Sequence, residues 1–218
     1  MVLTTIAVIS IATAIICSLA IIFDLFIHPQ QMWIMNLVWP LTALYAGPLA
    51  LIAYFTLGRN SSKAKMAHTN KPFWQSVLLG TLHCGSGCTL GDLIAANLLT
   101  IFPVVLFGSN LYGEWAADFI LAFIIGIVFQ YYAIKPMGHL TRSQALLAAL
   151  KADTLSLTFW QIGMYGWMAL CDFAILDHLL KAPAPLFWMM MQVGMLFGLL
   201  TAYPVNWWLI TRGIKEKM

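Results

Sequence analysis

The chain has 218 residues, of which 61% are hydrophobic and only 9% charged, with a formal charge of +3. A soluble domain carries roughly 25% charged residues, so this composition, with a mean hydropathy of +0.86, excludes a soluble protein and points to an integral membrane protein. The small positive charge carries no nucleic-acid signal, and four cysteines set in apolar stretches do not read as the disulfide framework of a secreted domain.

Six apolar runs reach the roughly 20 residues that a membrane-spanning helix needs: about 2–27, 32–57, 74–107, 113–134, 153–175 and 184–211. The expectation is an all-α integral membrane bundle of six transmembrane helices, one domain over 1–218. The first run has no Lys or Arg before it, lacks the basic region of a signal peptide, and is expected to be a retained helix. Within it, Cys17 has no polar neighbours and reads as packing. The short linker His28-Pro-Gln-Gln31 predicts that the first two helices pair tightly and antiparallel. Pro40 and Pro48 interrupt the second run, Pro103 the third and Pro204 the sixth; each removes a backbone donor and bends its helix.

The third run holds the most unusual stretch, Gly80-Thr-Leu-His-Cys-Gly-Ser-Gly-Cys-Thr-Leu-Gly-Asp92. A helix over 74–107 would be about 50 Å long against a hydrocarbon core of about 30 Å. It must tilt, project or break, and Gly85-Ser86-Gly87 is the natural place to break it. If it stays helical, Cys84 and Cys88 share a face with Gly80, Gly87 and Gly91, small residues that admit a close neighbour. His83 lies on one flank of that stripe, roughly 15 Å deep, and Asp92 on the other. Three uses compete. The thiols can be apolar filler, they can be ligands with His83 for a soft metal such as Cu(I), Zn(II) or iron, or they can be a redox pair, although Cys-x-x-x-Cys is not the usual redox spacing.

Thr141-Arg-Ser-Gln144 has the form of a capping box and predicts a short interfacial amphipathic helix over about 141–151. Asp153 then reads as the N-cap of the fifth helix. At about 100° per residue, Gln161, Met164, Met168 and Asp172 fall on one side of that helix with Cys171 at its edge. Met191 and Met195 are four apart in the sixth helix. Such methionines usually fill gaps in a core, but they also reach the depth of His83 and Cys84. Asp24, Asp92, Asp118 and Asp172 fall in the outer thirds of four helices, near Glu114. They are expected to line an outward cavity that concentrates cations. His28, His68, His139 and His178 fall in linkers and read as solvated.

Every Lys and Arg except Lys181 falls between helices two and three, between four and five, or after six. The positive-inside rule then puts both termini in the cytoplasm. Trp74, Tyr131, Tyr132, Trp207 and Trp208 read as an inner aromatic belt, and Trp33, Tyr112 and Trp115 as an outer one.

The His-Cys-Gly-x-Gly-Cys-Thr-Leu-Gly-Asp string at 83–92, together with Lys151-Ala-Asp-Thr-Leu-Ser-Leu-Thr158 and Gly163-Met-Tyr-Gly-Trp-Met168, resembles a family of bacterial multi-pass membrane proteins of unknown function. The resemblance implies a bacterial inner-membrane location and brings no activity with it. The residues themselves point to a soft-cation binding or transport protein, Cu(I) before Zn(II). His83, Cys84, Cys88, Met164, Met168, Cys171 and Met195 are the candidate ligands. Asp92 would accept a thiol proton, and Asp24, Asp118 and Asp172 would form the vestibule. The alternatives are a membrane thiol–disulfide oxidoreductase cycling Cys84 and Cys88, and a non-catalytic assembly subunit packing through its glycine face on a second copy or another membrane protein. A haem on His83 would want a second axial ligand, and none can be named. No nucleotide-binding loop is present, so transport would be passive or gradient-driven.

Overall fold

A computed structural model describes residues 2–59, 72–135, 141–176 and 180–216. Among them there is no β-strand, and seven α-helices account for most of the chain: α1 (Val2–Ile27), α2 (Met35–Ala46), α3 (Pro48–Ala53), α4 (Phe73–Ile101), α5 (Asn110–Ile134), α6 (Arg142–Leu170) and α7 (Pro185–Thr211). Wider π-helical turns extend α3 through Tyr54–Gly58 and α6 through Cys171–Ile175. Four helices, α1, α4, α5 and α7, are long and apolar enough to cross a membrane. α6, at 29 residues, has the length as well, but its first turns carry Arg142, Lys151 and Asp153.

The expected second spanning helix is not one helix. Gly47 takes a positive φ of 52° and Pro48 opens a new helix, so the chain turns back on itself. Pro lacks the N–H that would continue the ladder, and Gly tolerates the left-handed backbone that L-residues avoid. α2, at 12 residues, is about 18 Å long, too short to cross. Its Trp39 ring packs edge-on against Tyr54 at 5.5 Å, and a Cβ on Gly58 would run into the same indole. α2 and α3 are therefore the two arms of a hairpin whose tip is Gly47.

This hairpin changes the topology expected from the sequence. Arg59, beyond its second arm, pairs with Asp24 at 3.0 Å, and Tyr54 Oη donates to the same carboxylate at 2.7 Å. Trp33, expected in the outer aromatic belt, touches Tyr132 of the inner one at 5.3 Å. Asp24 thus sits at the same end of the bundle as Arg59 and Tyr132, away from Asp118 and Asp172. The six-helix arrangement with both chain ends on one side gives way to five long helices and a hairpin. Ser10 of α1 bonds Gln192 near the start of α7 at 2.7 Å, while Phe73 at the start of α4 stacks edge-on against Trp207 near the end of α7 at 4.7 Å. The first turns of α1 and the last of α7 therefore lie at opposite ends.

Three further expectations change. α4 is an unbroken helix through Gly85-Ser86-Gly87 and stops at Ile101, just before Pro103, six residues short of the predicted end. The capping box at Thr141 forms, with Gln144 N–H donating to Thr141 Oγ1 at 3.4 Å and Thr141 N–H to Gln144 Oε1 at 3.0 Å. The helix it starts does not end at 151 but runs to Leu170, so Asp153 is no N-cap but a buried residue in mid-helix. His68, His139 and His178 lie outside the described residues; His28 reaches Asp24 at 3.3 Å.

Candidate functional site

The polar segment of α4 is enclosed on all sides. Every residue from Leu79 to Thr89 is buried, which a helix in contact with lipid does not achieve. Small residues make this possible. A Cβ on Gly87 would lie 2.7 Å from Gly126 Cα of α5, and one on Gly91 would collide with Ala122; one on Gly85 would enter the Trp160 ring of α6. Gly87 and Gly91 of the stripe thus meet α5, Gly80 faces Ile210 of α7 and Lys215, and Gly85, off the stripe, meets α6, so the close approaches are made inside the chain.

Cys84 and Cys88 face the seam between α4, α6 and α7, and both are fully buried free thiols. Ser156 of α6 donates its hydroxyl to Cys84 Sγ at 3.1 Å. Asn206 of α7 donates to Ser156 Oγ at 2.6 Å and to Ala202 O at 2.9 Å. The serine proton is thereby directed at sulfur, which stabilises electron density there. The thiol of Cys88 adjoins that of Cys84, and Tyr45, near the hairpin tip, stacks edge-on against Trp160 beside them at 5.8 Å. Ser86, on the next face of α4, lies 3.3 Å from Thr42 Oγ1 and 3.1 Å from Val38 O, tying the first arm of the hairpin to the motif.

Toward one end of the seam, Lys215 folds back beneath α7. Its Nζ pairs with Asp153 at 2.6 Å and reaches Gly80 O at 3.4 Å, with both side chains of the ion pair fully buried. Gly213, at φ 67°, makes the reversal, and Ile214 and Lys215 N–H close it on Leu209 O. A buried lysine is tolerated only with such a partner.

Toward the other end the groups become acidic and the space opens. Asp92 lies against Asp118 and Gln161. Tyr165 Oη donates to Asp118 Oδ2 at 2.9 Å, and its ring stacks on Trp115 at 5.2 Å. Beyond Asp118 is a cavity of about 390 Å³ whose wall includes Glu114, Asp118, Asp172, Lys181, Met168 and Met191. Of the four acids expected to share a cavity, Asp118 and Asp172 are on this wall and Asp92 lies against Asp118, whereas Asp24 is not part of it.

The expected ligand set is only partly assembled. Cys84, Cys88, Met164, Met168, Cys171, Met191 and Met195 belong to one buried cluster, with Thr89 Oγ1 3.9 Å from Met195 Sδ and Cys171 Sγ 3.6 Å from Met190 Sδ. His83 stands apart: its ring faces Phe129 of α5 at 6.0 Å, and neither ring nitrogen has a hydrogen-bond partner. It does not converge with the thiols, for the helical reason that adjacent residues point about 100° apart. Among the described residues no three His, Cys, Asp or Glu side chains come together as a metal site.

Residues 73–215 match the model of a family described as a domain of unknown function, DUF4396. The chain belongs to that family. The matched region starts at Phe73, the first residue of α4, and ends at Lys215, so it takes in the whole polar seam and leaves out α1 and the hairpin. No curated protein and no solved structure matches the chain.

Ser156, Asn206 and Lys215 were not singled out from the sequence. Asn206 alone carried a signal, as an amide inside an apolar run behind Pro204; a serine in a helix and a lysine after one are too common to stand out.

Proposed function

We propose that this protein binds and moves a soft monovalent cation, best Cu(I), along the seam between α4, α6 and α7. The observation that supports the reading is that Cys84, Cys88, Met164, Met168, Met191 and Met195 share one buried cluster, with Met168 and Met191 also on the cavity wall and Cys84 hydrogen-bonded by Ser156. Thiolate and thioether sulfur select Cu(I) over hard ions, and acids at the cavity raise the local cation concentration. His83 is left out of this ligand set. Zn(II) fits less well, because the seam presents thioethers where Zn(II) takes imidazole or further thiolates.

In this reading α1, α4, α5, α6 and α7 cross the bacterial inner membrane, and the α2–α3 hairpin enters and leaves it from the cytoplasmic side. Arg59, Lys135, Arg142 and Arg212 then share the cytoplasmic end, and Lys181 lies at the other, as the positive-inside rule asks. Irregular backbone at Gly47 is tolerated at membrane depth where protein encloses it. The cavity faces outward.

Two observations weigh against the alternatives. Full burial of both thiols leaves no approach for the disulfide of a protein partner. The glycine face is already filled by Gly126, Ala122 and Trp160 of the same chain, so it cannot also dock an assembly partner. The test is anaerobic titration of the purified protein with Cu(I) against a chromophoric chelator. One Cu(I) per chain is expected, lost in Cys84→Ser/Cys88→Ser and kept in His83→Ala. A folded protein that takes up none, or takes it up equally without the cysteines, defeats the reading.

A further inference from the structure

The copper reading places its ligands on sulfur and uses the acids only to attract cations; the oxygens beside the cavity have no ligand of their own. Asp92, on α4, is 1% exposed and Gln161, on α6, is 2% exposed. They lie against each other and against Asp118 of α5. By strict hydrogen-bond geometry both oxygens of Asp92, Asp118 Oδ1 and both polar atoms of Gln161 are unpaired, although the three side chains are close enough to interact, and Gln161 Nε2 is the donor among them. Four buried acceptor oxygens on three helices thus meet with one side-chain amide, Gln161 Nε2, as their donor. Burying a polar atom without a partner costs roughly 1–3 kcal/mol, so a cluster of four marks a missing positive group.

One proton shared between the two carboxyls engages two of these oxygens, the Gln161 amide can reach a third, and the Gln161 oxygen is still left without a partner. A cation accepts several oxygens at once. The charge count sets its valence: Asp92 and Asp118 bring two negative charges. Lys181, across the cavity, acts on Glu114, and the remaining charged residue on the wall is acidic Asp172. No sulfur belongs to the group. Carboxylate and amide oxygens select hard ions, and such ions keep several waters when two carboxylates hold them, for which the adjoining cavity of about 390 Å³ has room. Tyr165 fixes Asp118 through Oδ2 and leaves Oδ1 unpaired.

We propose that Asp92, Asp118 and the Gln161 side-chain oxygen form a site for a hard divalent cation, of the magnesium, calcium or manganese(II) class, at the inner end of the cavity. This site is separate from the thiols and stands or falls independently of the copper reading. Its occupancy neutralises the acid pair and draws α4, α5 and α6 together.

The experiment titrates the whole chain in detergent with Mg²⁺, Ca²⁺ and Mn²⁺ in turn, by calorimetry. Saturable one-to-one binding of at least one of these ions is expected. Asp92→Asn and Asp118→Asn should each weaken it by about 10- to 100-fold or more, and Cys84→Ser/Cys88→Ser should leave it unchanged. Gln161→Glu, which adds a third carboxylate, should tighten it. Binding that survives both asparagine variants belongs elsewhere on the cavity wall and overturns the proposal. So does a folded protein that binds none of the three ions, whether or not its infrared spectrum shows a protonated carboxyl band that disappears in Asp92→Asn.

Discussion

Replacing Gly87 by alanine tests the enclosure of the motif most directly. The new Cβ would stand 2.7 Å from Gly126 Cα and 3.2 Å from Gly126 N. Carbon atoms rest at about 3.5–4.0 Å, and the obstacle is backbone, so α4 and α5 must part by about 1 Å. Overpacking of this kind costs about 1–3 kcal/mol, from which the better helix propensity of alanine returns about 0.5–1 kcal/mol. Gly166 is the matched control: it lies in α6, and a Cβ there would meet no atom within 4 Å, so Gly166→Ala keeps only the propensity gain. The two variants should therefore change stability in opposite directions, about 2 kcal/mol apart. At about 2–4 °C per kcal/mol for a chain of this size, thermal unfolding in detergent, followed by size-exclusion of the surviving monodisperse protein, should separate them by about 4–8 °C. If Gly87→Ala is as stable as Gly166→Ala, α4 and α5 do not touch through Gly87 and the enclosure of the motif by α5 is wrong.

Lys215→Met should destabilise the protein by about 3–5 kcal/mol, because it leaves the Asp153 carboxylate buried without its partner, whereas Lys215→Met/Asp153→Leu should regain most of the loss; the same unfolding assay reads both. Ser156→Ala removes the hydrogen bond to Cys84, worth about 0.5–1.5 kcal/mol, so Cu(I) affinity should fall by about 2- to 13-fold with no change in stoichiometry. For topology, single cysteines placed at Gln31 and Arg59 in a background lacking the native cysteines should both be shielded from a membrane-impermeant maleimide in intact cells, and one at Ala182 should react. Labelling of Gln31 from outside would restore the arrangement in which the second segment crosses.

The composition alone pointed to an all-helical chain with helices apolar enough to cross a membrane, because so few charges suit water poorly and helices satisfy their own backbone in lipid. Helix ends at Ile27, Ile134 and Thr211 were also legible, since hydropathy changes sharply there. The motif in α4 stood out because ionisable groups rarely enter an apolar run. Hydropathy does not see direction, however. Met35–Gly58 is as apolar as a crossing helix, and only the Gly47–Pro48 break and the Trp39–Tyr54 contact reveal a hairpin. That single turn moved Asp24 and Trp33 to the other end of the bundle.

The division between sequence and tertiary structure follows from the reach of each interaction. Local rules, such as the capping box at Thr141, the helical face shared by Cys84 and Cys88, and the stripe of Gln161, Met164, Met168 and Asp172, act within a few turns and were readable from residue spacing. Pairings between helices were not: Lys215 with Asp153, Asn206 with Ser156 and Cys84, and Asp92 with Asp118 and Gln161 join residues far apart along the chain. Each depends on how closely the helices approach, which the glycines permit but do not specify. Sequence placed a histidine beside two cysteines; packing turned the histidine toward Phe129 and gave the thiols to the seam with α6 and α7.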